Sequence, residues 1–271
     1  MGKRTLAHLA ILGLLALYML PIAWMLSTSL KPDDELFTEQ IRWIPNRIAW
    51  ENYQQALATF PFGLYLRNTV LIAGLTVVGA LLSCLPPAYA FARLRWRGRN
   101  FWFWVMLSTL MLPPQVTLLP VFLLFRTLGW VDTFLPLIVP AFLGNAFLIF
   151  MLRQFFLTLP QELIDAARLD GCSEWTILWR LVAPMSKPAV ATVALFSFVW
   201  AWTDFMNPLI YLNDSSKFTL AVGLQYFLGR HGEQWNLLMA AATVVTAPLV
   251  LLFLLTQRAY VRGITLTGLK G

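Results

Sequence analysis

The segment TVLIAGLTVVGALLSCLPPAYAFA, residues 69–92, contains no Asp, Glu, Lys or Arg. It is long enough to cross the hydrocarbon core of a bilayer as one α-helix, which takes about 20 apolar residues. Strands of a membrane β-barrel would instead appear as segments of about 10 residues with alternating polarity, a pattern that this sequence lacks. The segment therefore predicts a transmembrane helix and an all-α integral membrane protein.

Five further apolar segments indicate that the chain crosses the membrane six times. Of the 271 residues, 59% are hydrophobic and 12% are charged, against roughly 25% charged in an ordinary soluble domain. We expect a single transmembrane domain over residues 1–271. Its predicted spans are residues 5–30, 68–92, 101–125, 133–156, 188–212 and 235–257.

The positions of the basic residues predict the orientation, because loops rich in Lys and Arg stay on the cytoplasmic side. With both termini cytoplasmic, that side has 13 of the 20 basic residues and four of the 13 acids. The opposite side then has seven basic and nine acidic residues. We interpret the basic excess as a topology signal and not as a nucleic-acid-binding surface, because the basic residues flank the spans.

The sequence offers no set of residues typical of an enzyme. The two cysteines, Cys84 in a span and Cys172 in a cytoplasmic loop, give no disulfide framework. The two histidines, His8 and His231, fall on opposite sides of the membrane, which argues against a His-rich metal cluster. A glycine-rich phosphate loop and a nucleophile elbow are both missing from the sequence. We therefore expect no catalytic residues, no metal site and no cofactor in this chain.

The cytoplasmic connection at residues 157–187 is predicted to form two short helices joined by a sharp turn. Thr158 and Gln161 match a capping box, which would start the first helix. Gly171 ends that helix, because glycine takes the left-handed conformation at little cost. Ser173 is expected to cap the second helix. The connection therefore predicts a helix-turn-helix.

The first of these two helices has the residues of a docking surface. Ala166 and Ala167 give a shallow face that a partner protein can approach closely. The only acids predicted on the cytoplasmic side lie in the same connection: Glu162, Asp165, Asp170 and Glu174. On these local features alone, the alternative is a solvated amphipathic connector.

The string ELIDAARLDGCSEWTILWRLVAPMSKPAV, residues 162–190, resembles the cytoplasmic signature of binding-protein-dependent ABC importer permeases, the EAA loop. In that signature a Glu-Ala-Ala triplet is followed after three residues by Gly, and about a dozen residues later by Pro. The matching positions are Asp165, Ala166 and Ala167 for the triplet, Asp170 and Gly171 for the central pair, and Pro184 for the proline. This chain departs from the signature at three positions: it has Asp165 where Glu is usual, Cys172 where Ala is usual and Ala183 where Leu is usual.

Other segments resemble the carbohydrate-importer branch of that family, of the maltose-transporter second-permease type. They are PPAYAFARLRWRGR at 86–99, LPPQVTLLPVF at 112–122, WTDFMNPLIYL at 202–212 and the tail RGITLTGLKG at 262–271. Thr203 departs from the Asn that is usual at its position.

The resemblance implies a channel-forming permease subunit of a prokaryotic inner membrane, surrounded by lipid, that does not hydrolyse ATP itself. It implies a sister permease as heterodimer partner, two ATPase subunits that bind ATP and Mg, and an extracytoplasmic binding protein that delivers a sugar or sugar derivative. The residues implied to contact an ATPase are Glu162, Asp165, Ala166, Ala167, Asp170 and Gly171.

The alternative is a secondary transporter of a small polar solute driven by an ion gradient. That class often has inverted repeats, and the two halves of this chain show no convincing match.

Asp204 is a second candidate, because an ionisable side chain within a span is costly unless it faces a partner or water. With Trp202 and Asn207 it is predicted to contribute to a substrate passage. The alternative is a structural hydrogen-bond partner at a helix bend near Pro208.

Overall fold

The computed structural model describes residues 2–37, 42–228 and 234–268, and side chains over 5–37, 42–228 and 234–257. The predictions on His231 and on the side chains of the tail segment 262–271 lie outside the described residues. Every regular element in the described part of the chain is helical, which confirms the all-α fold class.

Fourteen α-helices occur in the described residues, most of them rich in apolar side chains. In chain order they are α1 (Gly2–Ser29), α2 (Glu51–Ala58), α3 (Phe62–Arg93), α4 (Arg99–Ser108), α5 (Pro114–Thr127), α6 (Leu135–Ile138), α7 (Ala146–Phe156), α8 (Gln161–Leu169), α9 (Glu174–Ile177), α10 (Ala183–Met185), α11 (Lys187–Thr203), α12 (Met206–Tyr211), α13 (Leu220–Gly223) and α14 (Trp235–Gly268). Short 3-10 helices and one π-helix, Leu178–Val182, connect several of them.

Four segments in the described residues are long and apolar enough to cross a membrane without a sharp bend. They are Thr5–Ser29, Phe62–Arg93, Leu135–Phe156 and Trp235–Gln257. Two more are helix pairs, Arg99–Met111 with Pro114–Thr127 and Glu174–Met185 with Lys187–Thr203, bent by 97° and 85°. Counting each bent pair as one crossing gives six, the number expected from the sequence. In the second pair only Lys187–Thr203 overlaps a predicted span, because Glu174–Met185 belongs to the 157–187 connection; the bounds of the crossings stay predictions.

The 97° bend interrupts the predicted span 101–125, which the sequence treats as one helix. Leu112 and Pro113 are extended, with ψ of 117° and 133°. Proline disfavours the helical conformation in the residue before it and has no N–H to donate. The Pro113-Pro114 pair therefore ends one helix and starts the next. The predicted span 188–212 is similarly interrupted at Asp204, whose ψ is 115°.

The chain divides into two compact units, residues 1–63 with 222–251 and residues 64–221 with 252–271. In the first unit, two buried asparagines bind the segment that follows α1, one through backbone carbonyls and the other through a carboxylate. Asn52 donates from Nδ2 to the carbonyl oxygens of Ser29 and Lys31 at 2.9 and 2.8 Å. Asn236 donates from Nδ2 to Oδ1 of Asp33 at 2.7 Å. Such bonds offset the cost of burying polar groups.

In the second unit, α3 lies at the centre of the hydrophobic core. Ala80, Cys84 and Ala88 are spaced four residues apart and are all buried. Side chains at this spacing share one helix face, and small ones let a neighbouring helix approach closely. Ile164 of α8 and Ile177 of α9 are buried in the same cluster. The core thus anchors both short helices of the 157–187 connection.

Candidate functional site

The predicted helix-turn-helix is present as α8, a turn at Gly171, and α9. Gly171 has a φ of +78°, a left-handed conformation that glycine adopts without steric cost. The N–H of Gly171 donates to the carbonyl of Arg168, and the N–H of Cys172 to that of Ala167, each at 3.0 Å. Ser173 caps α9 through Oγ, which accepts the N–H of Thr176 at 3.2 Å. The turn and the serine cap are therefore confirmed.

The predicted capping box at the start of α8 is wrong. Thr158 Oγ1 donates to the carbonyl of Phe155 at 2.7 Å, so this hydroxyl belongs to the end of α7. The side chain of Gln161 is bound by Arg93, whose Nη1 donates to Oε1 at 2.7 Å. Because both capping side chains are occupied elsewhere, α8 begins at Gln161 without a side-chain cap.

One side of α8 is open to solvent and includes most of the predicted contact residues. Glu162, Asp165, Ala166, Asp170 and Gly171 are exposed, whereas Ala167 is half-buried against the core.

Two exposed apolar residues of α8 were not among the contact residues predicted from the sequence. Leu169 is 90% exposed and Leu163 is 43% exposed. Because these leucines are exposed together with Glu162 and Asp170, the helix presents an apolar and acidic surface. The sequence did contain a signal for this apolar surface. Of the large apolar residues of α8, only Ile164 is buried in the core, so the others are left to face solvent or a partner.

Behind that surface, a polar network joins α8 to α9 and α3. Arg168 donates from Nε to Glu174 Oε1 at 2.8 Å and from Nη1 to Asp165 Oδ1 at 3.0 Å. The buried Tyr89 of α3 donates from its hydroxyl to Glu174 Oε2 at 2.5 Å. Glu174 thus accepts hydrogen bonds from side chains of two helices, α8 and α3.

Arg93 of α3 fixes the segment between α7 and α8. In addition to Gln161, it donates from Nε to the carbonyl of Phe156 at 3.0 Å and from Nη2 to that of Leu159 at 2.5 Å. These carbonyls belong to the end of α7 and the residues after it, where helical partners run out. The guanidinium therefore sets where the chain leaves α7 and enters α8.

The charges in the network stabilise one another. The hydrogen bond to Glu174 raises the pKa of Arg168 above its ordinary value, against the opposing effect of burial. Burial by itself would raise the pKa of Glu174, but hydrogen bonds from Arg168 and Tyr89 outweigh it and leave that pKa lowered. Both side chains are therefore held in their charged forms.

The second predicted site is only partly assembled. Asp204 and Asn207 line a cavity of about 590 Å³, together with Trp130 and Tyr211. Trp202 is buried, at 3% exposure, with its ring stacked on Phe198 at 5.2 Å between centroids. The structure brings the acid and the amide together and turns the tryptophan into the protein interior.

Asp204 has the geometry of a structural partner at a helix bend. It lies between α11 and α12, where its Oδ1 accepts the N–H of Asn207 at 3.1 Å and its Oδ2 accepts Nδ2 of Asn207 at 2.9 Å. These bonds satisfy donors at the start of α12. The structural alternative explains the observed contacts of Asp204, and a role in a substrate passage stays a prediction.

An ion pair that the sequence analysis did not single out joins the connection after α5 to the one after α12. Asp132, with a φ of +61°, accepts Nζ of Lys217 at 2.7 Å and the N–H groups of Asn213 and Asp214 at 3.0 Å each. The backbone N–H of Asp214, the Lys217 ammonium and the N–H of Asn213 lower the pKa of Asp132 to about 2. Local sequence patterns could not predict this ion pair, because Asp132 and Lys217 are 85 positions apart.

Comparisons with known proteins identify relatives along nearly the whole chain. The family described as "Binding-protein-dependent transport system inner membrane component" matches residues 76–266. The arabinooligosaccharides transport system permease protein of Halalkalibacterium halodurans is 34% identical over 256 residues, which cover 93% of this chain and 91% of that protein. The sn-glycerol-3-phosphate transport system permease protein of Yersinia pestis is 32% identical over 259 residues, with coverage of 93% and 91%.

A solved structure has the same fold. A chain in the crystal structure of a bacterial ABC transporter involved in the import of the acidic polysaccharide alginate superposes with a TM-score of 0.83 at 25% identity, covering 94% of this chain and 96% of that one. The family match spans well over half of the chain and contains the helix-turn-helix, α11 and α12. The chain therefore belongs to the family of inner membrane components of binding-protein-dependent transport systems.

Proposed function

We propose that this chain is the permease subunit of an ATP-driven importer that translocates a sugar or a sugar derivative delivered by an extracytoplasmic binding protein. The substrates named for its relatives support a carbohydrate cargo: arabinooligosaccharides, glycerol phosphate and alginate. ATP and Mg bind to two partner ATPase subunits, and a sister permease completes the translocation path. Both termini and the 157–187 connection are on the cytoplasmic side, in accord with the basic residues.

The observation that carries this proposal is the exposed acidic and apolar surface of α8, supported from behind by the Arg168–Glu174–Tyr89 network. Carboxylates of Glu162 and Asp170 are available for charge-assisted hydrogen bonds to basic groups of an ATPase. Leu169 supplies an apolar anchor. A helix that is tied to α3 moves with it, so closure of the ATPases is passed on as rigid-body motion.

The energy for this motion comes from outside the chain. Driving a two-state transporter from 1:99 to 99:1 takes about 5.5 kcal/mol of differential binding. Nucleotide at the ATPases and the loaded binding protein supply it together, since a ligand with equal affinity for both states shifts nothing.

The test reverses charge on the exposed surface without touching the network. The variant Glu162→Lys/Asp170→Lys, in the complex reconstituted in proteoliposomes, is expected to weaken ATPase binding at least tenfold and to abolish uptake. Asp34→Lys, an exposed acid predicted on the opposite side of the membrane, is the matched control and keeps both activities. Full uptake by the double variant, or uptake driven by an ion gradient with no ATPase present, would overturn the proposal.

A further inference from the structure

The turn between α3 and α4 presents basic groups that the described structure leaves without acidic partners. Arg95, Arg97 and Arg99 occur within five residues. Among the described residues, none of the three has a carboxylate within ion-pair distance. Arg95 and Arg97 are exposed, and Arg99 donates one N–H, from Nη1 to the carbonyl of Leu94 at 3.1 Å. Arg168, in contrast, pairs with two acids of its own loop.

Arg95 and Arg99, but not Arg97, border a cavity of about 420 Å³. It is lined by Arg95, Trp96, Gly98, Arg99, Asn100 and Phe101. Gly98 has a φ of +84°, which turns the chain back sharply between the two helices. Planar guanidinium groups bind phosphate oxygens with two parallel hydrogen bonds, and an amide or indole N–H adds a donor. The lining therefore suits a phosphate group.

An apolar surface continues directly from this cavity along α4. Phe101 is 64% exposed, Trp102 55% and Trp104 69%. Exposed aromatic side chains at one end of a candidate span are typical of the membrane–water interface. A ligand that matches both surfaces has a phosphate at one end and hydrocarbon at the other.

We propose that this turn binds the phosphate of an anionic phospholipid, such as phosphatidylglycerol, with an acyl chain lying against Phe101 and Trp104. Basic pockets at the ends of transmembrane helices are suited to anionic head groups. Arg95 and Arg99 also border a larger cavity shared with Asp165 and Arg168, so the head group would lie beside the polar network behind α8.

The experiment compares lipid binding by two double variants of the assembled transporter. Arg95→Gln/Arg97→Gln removes two charges from the turn and leaves the Arg99 hydrogen bond intact. Arg180→Gln/Lys187→Gln removes two exposed charges from the same predicted side of the membrane and is the matched control. Each complex is placed in phosphatidylcholine nanodiscs that contain spin-labelled phosphatidylglycerol, and the immobilised fraction is measured with and without 10 mM inorganic phosphate.

We expect the turn variant to lose at least fivefold in phosphatidylglycerol association and the control less than twofold. Arg95→Lys/Arg97→Lys, which keeps the charge but not the planar guanidinium, should lose an intermediate amount. Equal losses in the turn variant and the control would overturn the proposal in favour of a general positive surface. Complete displacement of the lipid by inorganic phosphate would overturn it in favour of a free-phosphate site.

Discussion

Replacing Gly171 with alanine tests whether the turn between α8 and α9 has to keep its shape. At Gly171 an added Cβ meets no atom within 4 Å, so the substitution creates no clash. The φ of +78° is nevertheless a left-handed conformation, which costs an L-residue roughly 1–2 kcal/mol. That cost is relieved when the turn leaves this conformation.

Leaving it breaks two hydrogen bonds, from the N–H of Gly171 to Arg168 and from the N–H of Cys172 to Ala167. It also separates Arg168 on α8 from Glu174 on α9. A change of 1–2 kcal/mol lowers the population of the native turn conformation, relative to relaxed conformations, by a factor of about 5–30. We expect Gly171→Ala to insert normally but to transport several-fold less substrate per ATP hydrolysed, measured as uptake and binding-protein-stimulated ATP hydrolysis on the same proteoliposomes.

Gly129 provides the matched control, because its φ is +70° and an added Cβ there also meets nothing within 4 Å. Gly129→Ala therefore introduces similar backbone strain in the connection after α5, away from the helix-turn-helix. If the two variants show the same ratio of uptake to hydrolysis, or if Gly171→Ala keeps the wild-type ratio, the turn does not act in coupling and the reasoning fails.

Three further predictions concern the polar contacts of the second unit. Tyr89→Phe removes one hydrogen bond to the partly exposed Glu174, so we expect the free energy of unfolding to fall by about 1 kcal/mol. The measurement is the midpoint of thermal unfolding, which should be lower in the variant; an unchanged midpoint would mean that this bond does not stabilise the fold. Asp132 has a pKa lowered from 3.8 to about 2, so its stabilisation is complete above pH 4 and is lost as the pH falls through 2. The rate of amide hydrogen exchange in residues 212–218, corrected for the intrinsic rate, should accordingly rise between pH 4 and 2 in the wild type. In Asp132→Asn the exchange should be fast already at pH 7. An exchange rate in the variant equal to that of the wild type would show that the ion pair does not stabilise this segment. Asp204→Asn keeps an acceptor for Asn207 and should retain uptake within about twofold, whereas Asp204→Ala should not; a complete loss in Asp204→Asn would favour direct contact with the substrate.

The helical fold could be predicted because long uncharged segments have few other solutions in a bilayer. The turn at Gly171 and the cap at Ser173 were equally predictable, since both depend on residues adjacent in sequence. The capping box at Thr158 failed because a residue 68 positions away, Arg93, binds Gln161 instead.

The contacts behind the candidate site were not predictable for the same reason. The bond from Tyr89 to Glu174 joins residues 85 positions apart, and local patterns carry no information at that distance. Trp202 was assigned to a passage on its chemistry alone, whereas in the structure its side chain is buried and stacked on Phe198. The 97° and 85° bends of the two helix pairs likewise appear only in the structure.

The most direct test of the central claim is a cross-link from the turn of the helix-turn-helix to an ATPase subunit. Cys172 is exposed beside Gly171, whereas Cys84 is buried in the core, so a bifunctional maleimide reacts at Cys172 in the native chain. Applied to inside-out membrane vesicles that contain the transporter, the reagent should join this chain to an ATPase subunit, and Cys172→Ser should abolish the product. Labelling of Cys172 only from the extracytoplasmic side, or no ATPase cross-link in vesicles that import substrate, would contradict the account.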